Sequence, residues 1–230
     1  MNPPRISTFL LTLGACLLAA LTLTAEAQDQ DKEDKKQPKG VAHFEAGIAA
    51  YQADNLPLAY KEFLAASKEG HADSQFNVAL MYERGIAVAK DEKQAVVWYG
   101  KSASQGNAGA QFNLGVLYEH GRGTEVNFAK ANEWYRKASV QGDALAIGNL
   151  GMLYVRGQGV KANKTAGVAL LLMSATEDPS PQNHAKQNIA RTRGLTPEMI
   201  AAAQTLLGEL SSAKNLLVPL DQYLKKAGKK

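Results

Sequence analysis

Cysteine is almost absent. The single Cys16 allows no intramolecular disulfide and no thiolate metal site. Histidine is scarce too. His43, His71, His120 and His184 contain no pair at i, i+3 or i, i+4, so no helix offers two imidazoles to one ion. G-x-S-x-G, Walker and H-E-x-x-H patterns are missing, and with them the common local signatures of hydrolases, phosphate loops and zinc peptidases. No cofactor and no enzyme activity are expected. Eight prolines are too few for a linker-rich chain, and 45% hydrophobic content is too high for a disordered one. With 230 residues the chain is long enough to bury a real core.

An excess of one charge is also absent from most of the chain. The net charge of +4 lies wholly in residues 211–230, where Lys214, Lys225, Lys226, Lys229 and Lys230 face only Asp221. Such an end attracts any polyanion without regard to sequence, so it implies weak contact with an anionic surface and no specific nucleic acid. The plainer reading is a solvated tail.

What is present begins with a leader. Met1 to Arg5 is a short basic stretch, Ile6 to Leu23 is apolar, and Ala25-Glu26-Ala27 places small residues at −3 and −1 of a cleavage site. Residues 1–27 therefore read as a secretory signal peptide cleaved after Ala27, which predicts a periplasmic or secreted protein. Two competing readings are a signal anchor and a lipoprotein anchored at Cys16, because Leu13-Gly14-Ala15-Cys16 resembles a lipobox. Residues 28–40 then form a charged linker. Their run QDQDKEDKKQPK has no apolar side chain to repay the entropy of ordering, so it is expected to be disordered.

The rest repeats every 36 residues. Rows starting at Ala72, Ala108 and Ala144 align without gaps. Asn77, Asn113 and Asn149 coincide, as do Tyr82, Tyr118 and Tyr154, and Gly85, Gly121 and Gly157. Trp98-Tyr99 and Trp134-Tyr135 coincide over the first two rows. A period of this length predicts a solenoid of helix pairs, each needing its neighbours to bury both faces. In each row the first helix runs from the alanine to a glycine stop. The second starts after Asp91, Asn127 or Asn163, all good N-caps. The paired aromatics read as core between repeats.

The pattern A-x-x-Q-x-N-L-G-x-L-Y-x-x-G-x-G, followed by N-x-x-K-A-x-x-W-Y-x-K-A-x-x-Q-G in row two, closely resembles the Sel1-like repeat (SLR) family. That family is related to tetratricopeptide (TPR) proteins. The resemblance implies an all-α, right-handed α-solenoid of stacked SLR/TPR-like helix-turn-helix repeats with a helical C-terminal cap. It divides the chain into a TPR-like first pair (41–71), SLR repeats at 72–107 and 108–143, a degenerate repeat at 144–179, a cap (180–210) and a basic C-terminal helix or tail (211–230). In row three Leu170 and Leu171 replace Trp-Tyr. The cap is expected to hold helices from Gln182 to Arg193 and from Thr196 to Leu210, with a last helix over 213–226.

The resemblance also implies a non-enzymatic scaffold or adaptor of the bacterial cell envelope, binding a protein partner on its concave face. The alternative is a periplasmic immunity protein neutralising a secreted toxin such as a phospholipase. A third reading, a β-lactam- or peptidoglycan-acting enzyme, rests on Ser211-Ser212-Ala213-Lys214. That S-x-x-K stands without the S-D-N and K-T-G motifs it needs.

The candidate binding residues form a ridge. Asn77 with Arg84, Asn113 with His120, and Asn149 with Arg156 each lie seven apart on one helix face. Asn can bond to a peptide backbone and Arg can pair with carboxylates. Met81, Leu117 and Leu153 are expected to add apolar contact with the partner. The competing reading is that Arg and His complement the helix dipole while Asn belongs to the repeat's own framework. Lys225, Lys226, Lys229 and Lys230 are the candidates for polyanion contact.

Overall fold

The 36-residue period becomes a helix pair each time it recurs. The computed structural model describes residues 39–228. The first pair is α1 (Val41–Gln52) and α2 (Leu56–Lys68). The three rows form α3 (Ala72–Arg84) with α4 (Glu92–Ser104), α5 (Ala108–His120) with α6 (Phe128–Val140), and α7 (Ala144–Arg156) with α8 (Lys164–Glu177). A cap follows, made of α9 (Ala185–Arg191), α10 (Pro197–Ser212) and α11 (Leu217–Ala227). Each helix packs against its pair partner, and each second helix against the next first helix. That serial packing is an α-solenoid. The segment expected to be a signal peptide, Cys16, most of the expected linker, and Lys229 and Lys230 lie outside the described residues. No helix among the described residues is long and apolar enough to cross a membrane.

The same local chemistry recurs in the three 36-residue rows. First helices open on side chains that accept backbone N–H bonds: His71 from Ser74, Asn107 from Ala110, and Asp143 from Ala146. Second helices open on Asp91, Asn127 and Asn163 in the same way. First helices stop at Gly85, Gly121 and Gly157, whose φ values of 70°, 67° and 69° are left-handed.

Of these caps, Asp143 alone is held in a costly state. Burial raises its carboxyl pKa, and backbone bonds from Ala146 and Leu145 only partly oppose this. A folded pKa above the unfolded one means that the folded state binds the extra proton between the two values. Stability therefore rises as pH falls through the folded pKa and is fully gained below the unfolded one. Asp143→Asn keeps the cap, as Asn107 does in the row before. It is expected to raise the melting temperature at neutral pH and to remove this part of the acid-side gain. Thermal melts from pH 7 to pH 4 check both.

The core runs between the layers. Ala95 and Ala131 are fully buried, which lets paired helices approach closely. Tyr99 and Tyr135 are buried beside them. The tryptophans are only partly buried, and each carries a lysine on its face: Lys101 lies 3.9 Å from the Trp98 ring centre and Lys137 4.1 Å from that of Trp134. Along the repeats a glutamine ladder ties layers together. Gln75 donates to the Ser67 carbonyl and accepts from Gln105; Gln111 donates to the Ala103 carbonyl and accepts from Gln141. Row three swaps this for a buried Ile147.

Two expected boundaries shift. The helix foreseen from Gln182 starts only at Ala185. Asn183 is drawn back to cap the end of α8, donating to the Ser174 and Asp178 carbonyls. The last helix starts at Leu217, after the Asn215 side chain accepts from the Leu217 N–H. This C-terminal segment is docked rather than solvated. Leu216, Pro219 and Leu220 are buried, and Asp221 makes a two-pronged pair with Arg136 on α6 at 2.8 and 2.6 Å. Arg136 also donates to the Tyr154 hydroxyl at 3.2 Å.

Candidate functional site

Residues seven apart on α3, α5 and α7 share a face because seven residues make nearly two helical turns. Arg84, His120 and Arg156 are exposed at the ends of these helices, as the spacing predicts. Asn77, Asn113 and Asn149 are half-buried two turns earlier. The expected apolar contacts are corrected. Met81 is 3% exposed, and Leu117 and Leu153 are 0% exposed, so all three belong to the core and offer nothing to a partner. The apolar residues left half-exposed are one position earlier: Leu80, Val116 and Met152. They lie at i+3 from the asparagines and i−4 from the basic residues. That spacing is centred on the face better than the i+4 positions, and it was readable in the sequence.

The asparagines divide into two kinds. Tyr99 donates its hydroxyl to Glu83 Oε2 at 2.7 Å, and Tyr135 donates to Glu119 Oε2 at 2.7 Å. Asn113 stands near the Tyr99 hydroxyl, and Asn149 near the Tyr135 hydroxyl. Burial, then the adjacent glutamate charge, pushes both tyrosine pKa values far up, so both remain protonated donors. Each Glu–Tyr bond joins the two helices of a pair, and an asparagine of the next first helix stands beside the hydroxyl. The counterpart of Tyr99 in the first pair is Phe63, which has no hydroxyl, and because the α1–α2 turn is four residues shorter the counterpart of Glu83 is Tyr51. Asn77 therefore has no tyrosine hydroxyl of this kind beside it.

The charges on this face are unevenly neutralised. Glu83 and Glu92 both pair with Arg122, at 3.0 and 2.8 Å. The bond from Arg122, then one from Lys90, holds the Glu92 carboxyl below its usual range. Arg156 stands 3.9 Å from Glu119, the outer limit of an ion pair. Arg84 and His120 have no acidic group within 4 Å among the described residues. Lys225 and Lys226 are exposed in the last turn of α11, at the negative end of its dipole. No group of three metal-ligating side chains occurs among the described residues.

The Sel1 repeat model matches residues 72–107, 108–143 and 144–179, the three rows read from the period. This is a Sel1-repeat protein. The crystal structure of a Sel1 repeat protein from Oxalobacter formigenes is similar to it, with TM-score 0.62 and 28% identity over 74% of each chain. A protective antigen present in uropathogenic Escherichia coli strains, displaying an SLR fold, shares the architecture at TM-score 0.53 and 23% identity; the match covers 82% of this chain and 49% of that one. No curated protein matches the chain. Sel1-repeat proteins are in general scaffolds for protein interaction.

Proposed function

We propose that this Sel1-repeat protein is a scaffold of the bacterial cell envelope that binds a protein partner on the face formed by α3, α5 and α7. One observation carries the reading. Half-exposed Leu80, Val116 and Met152 run beside exposed Arg84, His120 and Arg156, so an apolar strip lies against a basic one at the same step of every repeat. An apolar strip rimmed by charge is the usual make-up of a protein-binding surface. Periodic display suits an elongated partner rather than a small molecule. The envelope setting rests on the leader and its Ala25-Glu26-Ala27 end.

The test uses the full chain with a C-terminal tag, expressed in a bacterial host. The expected product is periplasmic and shorter by residues 1–27; a full-length cytoplasmic product would sink the envelope assignment. A pull-down from the native envelope is run alongside the variant Arg84→Gln/His120→Gln/Arg156→Gln, which removes the basic groups without setting acids at the helix C-termini or beside Glu119. These side chains are exposed, so the melting curve is expected to stay within about 0.5 kcal/mol of the parent per site. A stoichiometric partner lost by the variant supports the face, and a partner retained by it moves the site elsewhere.

A further inference from the structure

Four helix pairs stack, and the second helix of one pair differs from the other three. The positions that read Asn132 and Arg136 on α6 read Tyr60 and Leu64 on α2, Val96 and Gly100 on α4, and Val168 and Leu172 on α8. Arg136 is where α11 is held, gripped by both oxygens of Asp221. Among the described residues no other side-chain hydrogen bond ties α11 to the rest of the fold. It otherwise rests on α8 and α10, with Leu216 and Leu220 in the core shared with Leu206 and Leu210. The fit is incomplete. The helix opens without a side-chain cap, and Val218 is 54% exposed. A groove of about 430 Å³ stays open beside Leu217, lined by Gln111, Glu133, Arg136, Lys137 and Val140. Asn132, one turn before Arg136, is 9% exposed, stands near the Tyr154 hydroxyl, and has no partner for its amide nitrogen. A buried donor left open is costly.

The direction of α11 shows what is missing. Leu217 lies by Val140 and Asp221 by Arg136, so α11 runs antiparallel to α6. One turn beyond Asp221, residue 225 comes to the level of Asn132. It is an exposed lysine, which has donors only. The seat therefore offers one more hydrogen bond than its present occupant can take. We propose that α11 is an internal stand-in on this seat, and that an amphipathic helix of a partner protein takes its place. That helix carries apolar residues four apart, as Leu216 and Leu220 are, an aspartate directly after the second for Arg136, and an acceptor side chain one turn further for Asn132. The contact of α11 is autoinhibitory, because the partner binds only as tightly as the fraction of chains with the seat free allows. A helix that takes the seat straps α6 to the cap as α11 did, so the stack stays closed. The site lies on the second-helix side and stands or falls apart from the α3–α5–α7 face.

The probe is a fluorescein-labelled peptide of residues 211–228 carrying Lys225→Gln, and the control peptide carries Asp221→Asn as well. Both are titrated with the full-length protein by fluorescence anisotropy. A protein with Asp221→Asn is expected to bind the probe at least about tenfold more tightly than the parent, because its own helix competes less well. The control peptide is expected to bind that protein at least about tenfold more weakly than the probe, through loss of the charged pair with Arg136. The unsubstituted peptide is expected to fall between the two. Lys225→Gln in the full chain should act the other way, holding α11 down and weakening the probe about threefold or more. That exposed change does not endanger the fold, so its comparison with the parent decides the matter if Asp221→Asn melts early. Equal binding of probe and control, or no binding to any of the three proteins, overturns the helix seat. Equal affinity of the parent and both variants overturns the autoinhibition. A dimer in light scattering that refuses the probe makes the occupant a second copy of this chain and overturns the separate partner.

Discussion

Gly123→Ala is expected to lower the unfolding free energy by about 2–4 kcal/mol. Two separate causes combine. Gly123 has φ of 67°, a left-handed conformation that costs an L residue about 1–2 kcal/mol. A Cβ there would also stand 2.1 Å from the Glu92 carbonyl oxygen, which is backbone and cannot swing aside. The second glycine of the G-x-G turn is therefore the place where one repeat rests on the start of the previous second helix. Gly159 repeats the contact, with its virtual Cβ 2.4 Å from the Phe128 carbonyl carbon. Gly142→Ala separates the two causes. Its φ is 85°, but nothing lies within 4 Å, so it should cost only the conformational part. In row one the same position is Ala87 at φ 58°, exposed. Ala87→Gly should stabilise by up to about 1 kcal/mol, less what the freer unfolded chain takes back. Urea denaturation measures all three, and equal midpoints for Gly123→Ala and Gly142→Ala would refute the close approach.

Tyr135→Phe is expected to cost about 1.5–3 kcal/mol although the ring stays in place, because a hydrogen bond to a charged group is lost. Glu119 would keep its charge in a poorly hydrated site, with only Arg156 at 3.9 Å and no hydroxyl donor. Row three has already removed the problem by pairing Val155 with Leu171. That points to a double variant, Glu119→Val/Tyr135→Phe, which leaves no buried carboxylate to satisfy. It is expected to be more stable than Tyr135→Phe alone, giving a coupling energy of about 1–2 kcal/mol. Additive losses would show that the glutamate and tyrosine act independently.

The helix pairs were legible because their signals are local and repeated three times. A cap such as Asn127 and a stop such as Gly121 need no knowledge of the rest of the chain. The candidate face was half legible. Arg84, His120 and Arg156 emerge where the spacing puts them. Met81, Leu117 and Leu153 do not, because a residue at i+4 on a helix packed from two sides can fall on either edge of the stripe. The exchange of Glu–Tyr for Val–Leu is written in the rows, but its meaning depends on which side chains meet. Least legible was the end of the chain. Leu216, Leu220 and Leu224 mark an amphipathic helix, yet nothing in residues 211–230 says that Asp221 reaches back 85 positions to Arg136.

That reach alters how the molecule comes apart. A linear stack opens one unit at a time, since each repeat feels only its neighbours. The clasp between α11 and α6 joins the cap to the second repeat across the third, and Leu216 and Leu220 share one buried cluster with Tyr135 and Leu150. The C-terminal half is thus expected to open as one cooperative block whose amides exchange together. Among the described residues the α1–α2 pair has a neighbour on one side only and no such strap. Fraying is therefore expected to begin at the first pair while the cap holds the other end of the stack closed.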